Sequence, residues 1–396
     1  MEEPKGILKE YDSYCRKYHD IYGEKTAILI QAGAFYEFYA VVQEDYYIGE
    51  KYIYDICQNI LGIAVTVKNK KKDNKNTIHN YLQAGFQMDY SDKFVTQLLN
   101  QGYTIVLIQQ VTEPPNIERK VTEILSPGTT LKNYHKSDEN YFMSIYLENV
   151  KDKIFSGLSV IDLSTGKSFI HEIKPSDDSY WIDEIGRLIS YYNPSEIIFH
   201  TDNYKIDSEF ITNQWDLNHQ TIQINHYTES IFKKISYQNE FFKKIFHIDS
   251  ILSPIDYLDL ENVNLGRASY IYLLQYVYEH SERILRYIEK PMIIQENKHL
   301  LLTSSSVRQL NVINNYSYFK GKNESLYSVC NNCNTSMGRR LLKERLLYPE
   351  IDRDLIENRY NQIEILRNNK QYEHFIDYLS KIADLEKYNR LMSLEL

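Results

Sequence analysis

The stretch QAGAFYEFYAV, residues 31–41, gathers four aromatic side chains, Phe35, Tyr36, Phe38 and Tyr39, around one carboxylate, Glu37, just after Gly33. The apolar run TAILIQ before it has the pattern of a buried strand. Phe-Tyr-Glu is therefore either the end of a core strand or a tool carried at that strand's end. A second group with chemical potential is VKNKKKDNKN, residues 67–76, where Lys68, Lys70, Lys71, Lys72 and Lys75 lie between strand-like LGIAVTV and AGFQM. Such a run is either a solvated loop or a phosphate-contacting one. Cys330 and Cys333 form a Cys-x-x-Cys, but no further ligands follow at zinc spacing and no thioredoxin-like strand precedes them. The pair is expected to carry no function. Gly23-Glu24-Lys25-Thr26 only echoes a phosphate-binding loop, because a glutamate separates glycine from lysine and the segment opens a strand, not a helix. There is no His-Glu-x-x-His and no Gly-x-Ser-x-Gly, and the carboxylates are not paired in any recognisable setting. Nothing nominates a catalytic centre.

The elements that must position these groups alternate between strand and helix, the pattern of a sheet covered by helices. A polar helix (ILKEYDSYCRKYHDIYG) precedes the strand TAILIQ. A helical stretch (YIYDICQNIL), a strand (GIAVTV), the basic loop and a short strand (AGFQM) follow. Next come a helix (DKFVTQLLNQG, with Phe94, Leu98 and Leu99 on one face) and the strand TIVLIQQ. PPNIERKVTEILSPGTTL, which starts at Pro114, contains a proline-rich hinge and a turn at Pro127-Gly128. FSGLSVIDLSTGKSFIHEI reads as two strands joined at Ser164-Thr165-Gly166, and SYWIDEIGRLISYY as a helix leading to the strand EIIFH. From about residue 255 the texture is helical. LGRASYIYLLQYVYEHSERILRYI keeps helical spacing throughout, and Ile356, Tyr360 and Ile363 predict one buried helix face. The last helix, LEKYNRLMSLEL, has no capping glycine or proline, as if cut in mid-course, so the chain is expected to be part of a longer protein.

Composition bounds the function. The 396 residues suffice for two or three domains, and 43% hydrophobic with 25% charged residues fits a folded, soluble protein. The 36 tyrosines, with many Asn, Ile and Lys, have AT-rich codons, which weakens any aromatic cluster as a functional signal. A net charge of -9 excludes a global electrostatic surface for nucleic acid, so DNA contact would need a local basic patch. Four cysteines fit a reducing interior, the opening MEEPKGILKEYD lacks an apolar signal core, and no run reaches the length of a membrane span.

Five ordered landmarks together resemble the MutS family of mismatch-recognition proteins. Gly33-Ala34-Phe35-Tyr36-Glu37 is similar to the Gly-x-Phe-Tyr-Glu signature of its first domain, and AGFQMDYSDKFVTQLLNQGYTIVLIQQVTEPP to the segment closing that domain. ERKVTEILSPGTTL resembles the exit from it, and GLSVIDLSTGKSF the first hairpin of the connector. SLYSVCNNCNTSMGRRLLKERLLYPEIDRDLIENRYNQIEIL resembles the start of the lever, with Thr335, Met337, Gly338, Arg340, Leu341, Leu342 and Pro349 in register. The likeness is collinear from about residue 20 to the end, and its AT-rich flavour is similar to versions carried by large DNA viruses. It departs from the family's pattern at Ala34, in its lysine-rich loop, and at the Cys330–Cys333 pair.

The resemblance implies an α/β multidomain fold. Residues 1–130 would form a mixed α/β mismatch-recognition domain, 131–250 an α/β, RNase H-like connector, and 251–396 a partial, all-α lever. The clamp and ATPase domains would lie beyond these residues. It implies that Phe35 enters the minor groove and stacks on a mispaired or unpaired base while Glu37 hydrogen-bonds the displaced base. A wedge of this kind reads deformability, not sequence. Glu37, a carboxylate among phosphates, would also penalise intact duplex more than kinked duplex. Tyr36, pointing the other way, is expected to pack. Lys68, Lys70, Lys71 and Lys72 are expected phosphate contacts, with Arg119 and Lys120 weaker ones. The expected partners are mismatched or bulged double-stranded DNA and downstream repair proteins, with no membrane, in a soluble intracellular setting. A dimer is expected for the full-length protein and a weak one or none for this chain. No cofactor is expected in this chain: ATP and Mg2+ belong to the missing ATPase domain, which makes the complete family member a DNA-dependent ATPase. The alternative is an ATPase-less interaction scaffold that recruits repair partners through its connector.

Overall fold

A computed structural model describes residues 3–44, 46–69, 75–112, 116–131, 139–174, 180–202, 205–215, 217, 220–227, 230–294, 299–300, 302–313, 324–368 and 370–395. Lys70, Lys71, Lys72 and the Pro114-Pro115 pair lie outside the described residues. The chain forms two compact units. One holds Met1–Asn133, His219–His226 and Glu279–Ser281; the other holds Tyr134–Asn218, Tyr227–Tyr278 and Glu282–Leu396.

The first unit is built on a mixed sheet of β1 (Thr26–Ala32), β2 (Phe35–Val42), β3 (Tyr47–Gly49), β4 (Thr66–Val67), β5 (Leu82–Gln87), β6 (Thr104–Gln110) and β7 (Arg119–Leu125). The order is β4-β5-β2-β1-β6-β7, with β3 on the far end of β2. Only β1 and β6 run parallel, Ile28 beside Val106. Helices α1 (Ile7–Tyr22) and α2 (Ser91–Asn100) cover opposite faces. Ala27 and Leu29 of β1 and Tyr36, Phe38 and Ala40 of β2 join Val95, Leu98 and Leu99 of α2 in one core. Ile28 and Ile30 point the other way, toward α1, whose Tyr11 hydroxyl donates to the Ile28 carbonyl at 3.0 Å. A strand buried on both faces needs apolar residues at every position, which is why TAILIQ shows no alternation.

Two expectations change here. LGIAVTV yields only the two-residue strand β4, because Gly62 takes a positive φ of 69° and residues 62–65 run irregularly. Phe-Tyr-Glu does not end the strand TAILIQ. The chain turns at Gly33-Ala34, and Phe35 opens a second strand.

The second unit contains a sheet with β8 (Tyr141–Val150), β9 (Lys153–Asp162), β10 (Lys167–Ile173) and β11 (Glu196–Asp202) in the order β11-β8-β9-β10. Lys151 and Asp152, both at positive φ, make the two-residue β8–β9 turn. The turn expected at Ser164-Thr165-Gly166 is present, and it closes around a buried carboxylate. Asp162 accepts from the Ser164 amide and from the Ser164 and Thr165 hydroxyls, at 2.9, 2.6 and 3.0 Å. The helix Asn264–His280 lies against β9 so closely that a Cβ on Gly157 would stand 2.0 Å from the Leu265 carbonyl carbon. It ends at His280, short of the continuous helix expected through Ile288, and a 3-10 turn, Glu282–Leu285, follows.

Besides Met292–Ile293, which pairs with β10, this unit is largely helical toward its C-terminal end, notably in Ser336–Leu347, Arg353–Asn368, Gln371–Leu379 and Leu385–Ser393. Arg340 ties the first to the last through a two-pronged pair with Asp384 at 2.6 and 2.8 Å. The buried face expected from Ile356, Tyr360 and Ile363 is not buried: Tyr360 and Ile363 are 64% and 58% exposed. Helical spacing marks an apolar stripe without supplying something to cover it, and no described residue covers this one. The chain is thus mixed α/β in its sheets and helical toward its C-terminal end.

Candidate nucleic-acid interface

The local chain around Glu37 is a two-residue hairpin. Ala32 pairs with Phe35, leaving Gly33 and Ala34 as the loop. Gly33 has φ 62°, the positive value that a type II′ turn requires at its first central position. Gln31 braces this turn. Its side-chain amide donates to the Gly33 carbonyl at 2.9 Å, and its side-chain oxygen accepts from the Gln110 amide at 2.9 Å. Arg119 donates to the Gln31 carbonyl at 3.0 Å while pairing with Glu10 at 3.0 Å. On the other side of the loop the Met88 amide donates to the Ala34 carbonyl at 2.9 Å.

Strand alternation then sorts the aromatics. Tyr36 and Phe38 point into the core, 2% and 0% exposed, and the Tyr36 hydroxyl accepts from Gln109 at 2.7 Å. The expectation that Tyr36 packs agrees with this position. Phe35, Glu37 and Tyr39 share the opposite face. Tyr39 is buried beneath Tyr11 and Tyr81, with ring centroids 5.5 and 5.4 Å away and nearly perpendicular planes. Phe35, at the turn, is 41% exposed.

Glu37 is partly buried, and both of its carboxylate oxygens are engaged. Oε1 accepts from the Gln83 side-chain amide at 2.9 Å, and Oε2 accepts from the Tyr39 hydroxyl. Burial first, then this bond to Glu37, push the Tyr39 phenol well above its ordinary pKa. Gly85 faces Glu37 across the β2–β5 pair. A Cβ there would lie 2.6 Å from the Tyr36 carbonyl oxygen and 3.0 Å from the Glu37 Cγ, so the glycine makes room for the acid.

Of the lysines singled out in the sequence, Lys68 and Lys75 are described, and both are exposed. The Lys68 ammonium donates to the Tyr81 hydroxyl at 2.7 Å and sits 4.7 Å from that ring's centre. It thereby joins the tyrosine pair beneath Glu37. Arg119 is held by Gln31 and Glu10 and works as a brace of the turn, whereas Lys120 is exposed. Cys330 is exposed, Cys333 is half-buried, and no group of three or more potential metal ligands occurs among the described residues.

Four residues of this arrangement were not singled out in the sequence: Gln31, Tyr39 in its bond to Glu37, Gln83 and Gly85. The small residue in the middle of LQAGFQ was the readable signal, since a glycine inside a strand marks a close approach. The Gln83–Glu37 bond spans 46 residues and has no local signature.

Comparison with known proteins agrees with the landmarks. The profile for MutS domain I matches residues 13–134, that for MutS domain II residues 140–289, and that for MutS domain III residues 305–394. A mutS homolog of Acanthamoeba polyphaga mimivirus is 31% identical over 98% of this chain and 37% of its own length. The DNA mismatch repair protein MutS of Caldanaerobacter subterraneus subsp. tengcongensis is 28% identical over 96% of this chain and 40% of its own. That of Petrotoga mobilis is 23% identical over 100% and 43%. The chain thus spans about two-fifths of the length of these relatives. With three consecutive domain profiles in order along it, and a relative above 30% identity along nearly all of it, the chain belongs to the MutS family.

Proposed function

We propose that this chain recognises mispaired or bulged duplex DNA, with Phe35 as the wedge and Glu37 as the contact to the displaced base. The observation that carries this reading is the sorting of one aromatic run. Tyr36 and Phe38 are buried, while Phe35, on a braced turn, is 41% exposed beside a carboxylate. A half-exposed ring on a rigid hairpin is positioned to enter a groove and part a base step. Unstacking costs a few kcal/mol, least where pairing is already broken, and stacking on an aromatic ring returns ~1–3 kcal/mol. The balance favours damaged over intact duplex without reading sequence. Glu37 sharpens it by repelling phosphates wherever the duplex stays straight. Lys68, and the lysines at 70–72, are proposed to hold the backbone on either side.

The longer protein to which such a chain would belong couples this recognition to ATP and Mg2+ in a separate ATPase domain, acts as a dimer, and hands the lesion to downstream repair proteins. Its setting is proposed to be intracellular. Among the described residues no helix is long and apolar enough to cross a membrane.

Fluorescence anisotropy at low salt tests the reading, with a one-base-bulge duplex and its matched twin, for the native chain and Phe35→Ala. The expected result is a preference for the bulge in the native chain that Phe35→Ala abolishes. Equal binding of both duplexes by both proteins would overturn it and favour the interaction scaffold.

A further inference from the structure

The wedge and its acid are supported by residues to which nothing so far gives a role. We infer that Tyr39 and Gln83 are positioning residues that clamp the Glu37 carboxylate in the orientation in which it meets a displaced base. The inference rests on the mismatch-recognition reading above and specifies how its site is held.

The geometry is that of a two-pronged support. Glu37 sits in the partly buried layer of β2, with the exposed Phe35 on one side and the buried Tyr39 on the other, all three on one face of the strand. The Gln83 amide holds one oxygen at 2.9 Å and the Tyr39 hydroxyl holds the other. Gln83 lies directly opposite Tyr39 in the β2–β5 register, so it reaches Glu37 diagonally, and the residue directly opposite Glu37 is the side-chain-less Gly85. The two donors converge on the acid from one neighbouring position on its own strand and one across the ladder. The anchor of Tyr39 is firm. The Tyr39 ring is wedged edge-on between Tyr11 and Tyr81, and its phenol is displaced upward in pKa by burial and then by Glu37, as befits a committed donor.

A free glutamate on a surface strand samples many rotamers, and freezing it on DNA binding would cost conformational entropy. Here the ordering is complete before DNA arrives. The donors occupy one acceptor site on each oxygen, and an ionised carboxylate has about four. The remaining capacity faces away from the donors and is free for a base N–H. Among the described residues both partners of the carboxylate are donors, so the clamp also fixes its role as acceptor.

Tyr39→Phe is the informative variant, because it removes one oxygen and leaves the buried ring in place. The measurement is the ratio of affinities for a one-base-bulge duplex and its matched twin, in four proteins: native, Tyr39→Phe, Glu37→Ala and the double variant. Gln83→Leu is run in parallel. The expected result is a fall in discrimination of about fivefold to tenfold for Tyr39→Phe and for Gln83→Leu in the native background. Neither change should have an effect once Glu37 is alanine. Equal effects in both backgrounds would overturn the clamp while leaving the wedge reading intact. Unchanged discrimination in Glu37→Ala and Phe35→Ala, or none in the native chain, would overturn the wedge reading itself. A DNA-free measurement then decides the clamp alone. The Gln83 side-chain amide resonance should shift in Glu37→Ala and in Tyr39→Phe, and a resonance unmoved by both would overturn it.

Discussion

Glu50 makes the most quantitative prediction, because it puts a carboxyl group at the centre of the unit that carries the candidate site. Its side chain is fully buried between α1 and the sheet, and among the described residues Oε2 has no hydrogen-bond partner. Burial is the dominant influence and raises its pKa from 4.5 to about 7, against a smaller downward pull from the Tyr52 amide, which donates to Oε1 at 3.2 Å. The titratable groups around it are Tyr11, Cys15, Cys57 and Tyr103, with the His19 ring nitrogen 4.0 Å from Oε2. A folded value above the unfolded one means that the folded unit holds the proton more tightly. Its stability contribution is full below pH 4.5 and is lost as pH rises through about 7. At about 1.4 kcal/mol per pKa unit the whole effect is about 3 kcal/mol, of which about 2–3 kcal/mol falls between pH 5 and pH 8. Glu50→Gln imitates the protonated acid and removes the dependence.

The assay is amide hydrogen exchange of peptides spanning β1 and β2, native against Glu50→Gln at matched pH, so that intrinsic exchange cancels. The Glu50 amide donates to the Tyr39 carbonyl at 3.0 Å, so opening around Glu50 reaches the strand that bears Glu37. At pH 5 the two proteins should exchange within about tenfold of each other. At pH 8 the native hairpin should open roughly 30- to 150-fold more readily relative to the variant than it does at pH 5. A native-to-variant ratio that stays flat from pH 5 to pH 8, or moves the other way, would refute the argument.

Further predictions follow from close approaches and burial. Gly85→Ala places a Cβ 2.6 Å from the Tyr36 carbonyl oxygen, so the β2–β5 pair must part. The expected cost is about 1–3 kcal/mol in urea unfolding together with weaker bulge discrimination, and unaltered values for both would contradict it. Gly157→Ala drives a methyl into the backbone of the helix Asn264–His280, since its Cβ would sit 2.0 Å from the Leu265 carbonyl carbon. The second unit should lose at least about 2 kcal/mol, read from the fluorescence of Trp181 and Trp215, both of which it contains. Cys15 and Cys57 are buried, and burial raises both thiols, whereas Cys330 is exposed. A thiol reagent should modify Cys330 in the folded chain and reach Cys15 and Cys57 only in denaturant. Rapid labelling of Cys57 without denaturant would show that its packing is wrong.

How far the sequence was legible depended on whether the deciding interaction was local. TAILIQ and TIVLIQQ announced β1 and β6 because strands buried on two faces must be apolar throughout. SYWIDEIGRLISYY announced α3 (Tyr180–Tyr192) through its helical period, and Ser164-Thr165-Gly166 announced the β9–β10 turn. LGIAVTV misled because apolar content without pairing partners does not make a strand, and only Thr66 and Val67 find β5. The stripe of Ile356, Tyr360 and Ile363 had the period of a buried face, but burial depends on what lies opposite. At the candidate site the sequence supplied Phe35 and Glu37 through the family signature, but not the turn that separates them from β1. Nor could it supply the partners of Glu37, since Gln83 reaches it only through the register of β5 on β2.

The central claim is that Phe35 touches the unpaired base. The direct measurement is photo-crosslinking of the native chain to a duplex whose single bulged base is 5-iodouracil, with the modified residue located by mass spectrometry. The expected result is an adduct on Phe35 that is absent from a duplex carrying the same base in a matched pair. An adduct confined to other residues, or equal yields from bulged and matched duplexes, would contradict it.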